Sequence, residues 1–110
     1  MALTPAQLQA AAYVPAGAAP QFTATSVSYI RTIILHNTDA APRVVTLWNV
    51  PNGGAAGGAN QFVLVTLAAY QTGTYEWKPP GIVMGTVGDY IEGKADVGNK
   101  VTIQMYGFTT

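Results

Sequence analysis

From residue 26 onward the chain alternates short apolar runs with clusters of glycine, proline, asparagine and aspartate. The last run is the clearest. Val101, Ile103 and Met105 fall on one face and Thr102, Gln104 and Tyr106 on the other, the period of two of a half-buried strand. Residues 26–37 (SVSYIRTIILHN) and 43–50 (RVVTLWNV) are rich in β-branched residues and read as strands. In the second, Val44, Thr46, Trp48 and Val50 share a face opposite Val45, Leu47 and Asn49. Trp48, in phase with Val44 and Val50, is expected in the core. Further strands are predicted at 61–67, 74–77, 82–84, 89–96 and 100–108, with Gly93 marking a bulge or a close approach. Turns are predicted at 39–42 and 97–99, and breaks at 51–60 and 79–81. Strand signals spaced roughly eight to twelve residues apart predict an all-β fold. The expectation is an antiparallel β-sandwich or jelly roll of about seven or eight strands. No long helical period interrupts them, which disfavours a parallel α/β fold.

The first twenty residues read differently. Thr4-Pro5-Ala6-Gln7 fits a capping box, with Leu3 and Leu8 at the positions of a hydrophobic staple. Ala6, Ala10, Ala11 and Ala12 favour helix. A short helix or arm is therefore predicted, followed by an extended, proline-punctuated stretch from Tyr13 to Pro20. The division expected is an arm over 1–20 and a single sandwich domain over 21–110. The arm lacks a basic segment and an unbroken apolar run, so no secretory signal is expected. No apolar run approaches the ~18 residues of a membrane-spanning helix.

Composition sharpens the picture in one respect. Of 110 residues only 9% are charged, and five Lys/Arg balance five Asp/Glu. A typical soluble domain carries roughly 25%. A neutral chain is poorly suited to nucleic acid, which demands a basic stripe, or to an anionic membrane surface. The absence of cysteine excludes disulfides and thiolate metal centres. A surface of alanine, glycine, threonine, glutamine and tyrosine is the kind that other subunits cover.

Candidate chemistry is sparse. His36 is the one histidine, and no nucleophile-elbow pattern accompanies it or Asp39. Asp89 and Glu92 are predicted on opposite faces of a strand, and Glu92 and Asp96 flank Lys94, so no opposed carboxylate pair is expected. The glycine-rich stretch PNGGAAGGAN lacks the Lys-Ser/Thr and the following helix of a phosphate loop. No catalytic residue, metal site or cofactor is predicted. The aromatic residues remain as contact candidates. The candidate interface comprises Leu3, Leu8, Tyr13, Tyr75, Trp77 and Tyr90. A carbohydrate-binding surface using Tyr75, Trp77 and Tyr90 is the alternative.

The ordered signals Tyr13-Val14-Pro15-Ala16-Gly17, Ile33-Ile34-Leu35-His36-Asn37, Val45-Thr46-Leu47-Trp48, Val50-Pro51-Asn52-Gly53-Gly54, Gly88-Asp89-Tyr90-Ile91 and Val101-Thr102-Ile103-Gln104-Met105-Tyr106-Gly107 carry a resemblance. Together they resemble the small β-sandwich virion proteins of tailed bacteriophages, which include head decoration (cement) proteins and tail-associated proteins. The resemblance implies a non-enzymatic structural protein, made in the bacterial cytoplasm and incorporated into the phage particle. As implied partners it brings other copies of the chain, as a homotrimer, and the major capsid protein. A tail, baseplate or fibre component is the other reading within that group. The chain ends in Gly107-Phe108-Thr109-Thr110, where many such proteins end in a Gly-Val-Glu-like tail.

Overall fold

The computed structural model describes residues 3–110. Nine strands follow in order: β1 (Thr4–Tyr13), β2 (Ala19–Thr23), β3 (Ser28–Asn37), β4 (Arg43–Val50), β5 (Gln61–Leu67), β6 (Thr72–Glu76), β7 (Ile82–Met84), β8 (Tyr90–Ala95) and β9 (Val101–Thr109). All pairings are antiparallel. One sheet runs β1-β9-β3-β6, with β7 pairing the beginning of β3 where β6 stops. The other runs β2-β8-β4-β5. The expected β-sandwich is the fold. Most connections cross from one sheet to the other. The β4–β5 hairpin and the β6–β7 link stay within a sheet.

The core lies between the sheets. Ile30, Ile33 and Leu35 of β3 and Ile103 and Met105 of β9 meet Val45 and Leu47 of β4 and Ile91 of β8. All are fully buried. Each such side chain contributes about 1.5–3 kcal/mol by leaving water. β3 directs both Ile30 and Ile33 inward, three positions apart, because its register with β9 slips between Ile30 and Thr32. Arg31 is the extra residue of that bulge. The inward set predicted for β9 is the observed one. Gly93 is indeed a close-approach position, since a Cβ there would lie 2.7 Å from Gln21 Cγ.

Three expectations are corrected. Residues 4–13 form no helix; they form β1, hydrogen-bonded along β9. One or two helical turns are marginal in water, whereas the open edge of β9 offers backbone partners along its length. Leu8, expected at a helical staple, packs instead against the core. The boundary at residue 20 falls inside β2, so the first twenty residues belong to the sandwich rather than to an arm beside it. Trp48 faces outward, opposite Gln61 on β5 and Glu92 on β8, while Val45 and Leu47 supply the core face. Val50 shares the Trp48 phase and is buried, but it stands apart from the core cluster.

Among the described residues there is no helix, and thus none long and apolar enough to cross a membrane.

One end of the sandwich is held by polar contacts. Asn37, fully buried at the end of β3, donates through Nδ2 toward the carbonyls of Ala41 (2.9 Å), Ala68 (3.0 Å) and Leu67 (3.2 Å). Its Oδ1 accepts from the Asp39 amide at 2.9 Å. Beside it, Asp39 Oδ2 accepts from Arg43 Nη2 and Nε at 2.5 and 2.9 Å. The Arg43 guanidinium holds the Asp39 carboxyl below its ordinary value of 3.8, against the opposing effect of burial. A carboxyl lowered on folding stabilises the fold above its unfolded value, and that contribution disappears as pH falls through the folded value. Arg43→Gln is therefore expected to lose stability at neutral pH and to lose less than the parent chain on acidification to about pH 2.5. Urea midpoints at the two pH values check this. An unchanged gap between the two proteins at both would show that the pair contributes nothing.

Candidate functional site

The two sheets leave two open sides. On one, β1 and β2 touch. On the other, β5 and β6 are each the last strand of their sheet and do not pair with one another. Between them lies a groove of about 480 Å³, lined by residues 62–65 of β5 and 74–77 at and just beyond the end of β6.

Local sequence explains the groove's shape. β6 turns Gly73 and Tyr75 toward the interior, with Tyr75 paired to the inward-facing Ile33, and Trp77, just beyond the strand's end, also packs against the core. Trp77 is held from the β3 bulge. Its amide donates to the Arg31 carbonyl at 3.0 Å, and Arg31 Nε donates back to the Trp77 carbonyl at 2.8 Å. On the opposite wall the register of β4 with β5 slips between Leu47 and Trp48, leaving Phe62 as the extra residue. Its ring meets Trp77 with centroids 5.9 Å apart at 56°, a tilted aromatic contact. Leu64 on the same strand is 63% exposed. Glu76 is the one acidic or basic side chain on the groove walls. Burial raises the Tyr75 hydroxyl above its ordinary value of 10.0, so it remains a neutral donor and acceptor.

The six predicted contact residues do not form one surface. Tyr75 and Trp77 come together in the groove. Leu8 is partly buried against the core. Leu3 and Tyr13 are both half-exposed near the two ends of β1. Tyr90 is an internal brace, donating from its hydroxyl to the Gly54 carbonyl at 3.2 Å. With Asp89 accepting from the amides of Asn52 (2.9 Å) and Thr86 (3.1 Å), it fastens the glycine-rich hairpin to the start of β8. The hairpin is also braced from within, for Asn60 bonds both Gly57 and Ala55. Tyr90 therefore does not join Tyr75 and Trp77 in a single aromatic platform.

Phe62 and Leu64 escaped sequence reasoning. The signal was present: residues 62–65 are apolar on both faces (FVLV), more than a one-sided strand needs. His36 is engaged within the chain, its Nδ1 2.7 Å from Thr72 Oγ1 on the adjacent strand. Among the described residues no three His, Asp or Glu side chains converge to hold a metal ion.

The sheet edges share a chemical character. β1, β2 and β5 contain no charged residue, and β6 contains only Glu76. Exposed edges are usually protected by lysine, proline or bulges. β1 has Pro5 and two register slips; β5 has neither lysine nor proline and a slip only at its first residues. Comparison with known proteins finds no matching family model, no similar curated protein and no similar solved structure.

Proposed function

We propose that this chain is a non-enzymatic structural protein of a tailed-phage virion, a decoration protein that binds and stabilises the assembled head. The observation that carries the reading is the absence of charge along three of the sandwich's edge strands. Such edges favour contact with other protein chains and offer little to a charged substrate. The ordered sequence signals that resemble small phage virion sandwiches give the contact its setting. A protein that binds the assembled shell and not its free subunits stabilises the shell by mass action. At free concentrations a hundredfold above Kd the effect is about 2.7 kcal/mol per site.

The groove favours a second reading, a carbohydrate-binding module. Tyr75 and Trp77 line it beside Glu76, and stacking rings with a carboxylate suit a sugar's apolar face and hydroxyls.

One experiment separates the readings. The protein is mixed with purified heads and purified tails of the phage that encodes it, and bound protein is measured after sedimentation. Saturable binding to heads, with a raised head disruption temperature, is the expected result. Binding to tails alone replaces the head reading with a tail component. Binding to neither, with tryptophan fluorescence shifting on a glycan panel, replaces both with the sugar module.

A further inference from the structure

We infer that copies of this chain associate head to tail, the β1–β2 side of one copy seating in the β5–β6 groove of the next. The inference rests on the assembly reading above and adds the surfaces that meet.

The groove needs an occupant that is extended, uncharged and narrow. Its walls are the unpaired outer edges of two strands, so an extended chain gains backbone hydrogen bonds on entering. Its lining holds Phe62, Tyr75 and Trp77 and a single charge, Glu76. A strongly charged partner segment would lose water there without finding counter-charges. The β1–β2 side meets each requirement. Both strands are free of charge. Much of β1 is exposed, including the small side chains of Ala10 and Ala11, and its outer edge is unpaired. None of the chain's five Lys/Arg lies on β1, β2, β5 or β6.

Size is compatible. A ten-residue strand runs about 33 Å, and the shortest dimension of the molecule is 20 Å. Taken whole, that flank has an outline of roughly 700 Å² per partner, an upper limit that approaches the ~800 Å² of a standard stable interface, with the four-residue walls of the groove at its centre. Two copies meeting groove to groove would set one concave surface against another and leave both unfilled. The two sides differ and lie on opposite flanks of the sandwich, so the contact is heterologous and can close into a ring.

The test uses two single-charge variants at exposed positions, Leu64→Lys on the groove and Ala10→Lys on β1, with Leu64→Gln and Ala11→Lys as second choices should either fail to fold by circular dichroism. Masses are measured by native mass spectrometry and sedimentation at micromolar concentration. The parent chain is expected to be an oligomer. Each lysine variant is expected to be a monomer, its association weakened on the order of a hundredfold. The equimolar mixture is expected to form a one-to-one heterodimer, because each variant retains the side that the other has lost. Either lysine variant assembling like the parent overturns the inference while leaving head binding intact. A mixture that stays monomeric overturns it in favour of a contact using one side twice. A monomeric parent chain overturns it outright, and its binding to heads, measured separately, then decides the assembly reading.

Discussion

Replacing Gly107 by alanine is expected to destabilise the protein by about 3 kcal/mol, the upper part of the range for overpacked interiors. For a domain of this size that lowers Tm by roughly 12–20 °C. Gly107 lies on β9 opposite Ile30, beside the Arg31 bulge and between β1 and β3. A Cβ at this position would stand 1.9 Å from the Tyr29 carbonyl oxygen and 2.9 Å from its carbon. Both are backbone atoms of the central strand, so no side chain can rotate away. The strands must separate, and the bulge that aims Ile30 and Ile33 into the core must be rebuilt. Gly57→Ala and Gly58→Ala are the controls: nothing lies within 4 Å of a Cβ at either. They are expected to change stability by less than about 0.5 kcal/mol. Thermal denaturation of the three variants settles the point. A Gly107→Ala protein melting within about 2 °C of the parent would mean that β3 and β9 part at little cost.

Asn37→Leu is expected to cost at least as much. The substitution keeps the number of heavy atoms and the fork at Cγ, but it puts two bulkier methyl groups in a fully buried site and removes every polar contact. The carbonyls of Ala41, Leu67 and Ala68 and the amide of Asp39 lose their bonds to the side chain at once. The contact to Leu67 is buried and the other three are part-buried, and the Ala68 carbonyl keeps the Gln71 amide. A buried group left without a partner costs about 1–3 kcal/mol, to which the crowding of the larger side chain adds. The position matters because Asn37 ties two crossings together. Ala41 lies between β3 and β4, and Leu67 and Ala68 begin the turn from β5 to β6. That turn closes one end of the groove, so the variant should loosen the groove walls before the rest of the fold. Asn37→Asp provides a signature that simple loss of packing would not. It sets a buried carboxylate against three carbonyl oxygens, which raises its pKa on folding. Stability then falls as pH rises through the interval between the unfolded and folded values. The deficit against the parent should be largest at neutral pH and shrink in acid. Denaturant titrations across that range are the measurement, and a deficit independent of pH would assign the loss to shape alone.

The two positions differ in how far sequence could find them. Gly107 lies within a cleanly alternating strand, but nothing in the chain says that Tyr29 approaches it. Asn37 closes an apolar run like any turn-prone residue. Only the folded chain brings Ala41 and Ala68 to its side chain. The groove follows the same logic. The two-sided apolar character of residues 62–65 was legible; its pairing with Trp77 was not, because β5 and β6 end different sheets.

By itself the sequence determined the all-β class, the seven strands from β3 to β9 with small shifts in their ends, the inward face of β9 and the shortage of charge. These depend on local period and composition, which each segment carries within itself. The tertiary structure decided that residues 4–13 are a strand, that Trp48 faces outward and that Tyr90 braces a hairpin rather than joining Tyr75 and Trp77. The helix signal in Thr4-Pro5-Ala6-Gln7 amounts to a turn or two of weak propensity, and the open edge of β9 outweighs it with hydrogen bonds along a whole strand. In RVVTLWNV both faces are apolar enough to be buried. The choice between them falls to whichever face the opposite sheet covers, and that depends on residues far away in the chain.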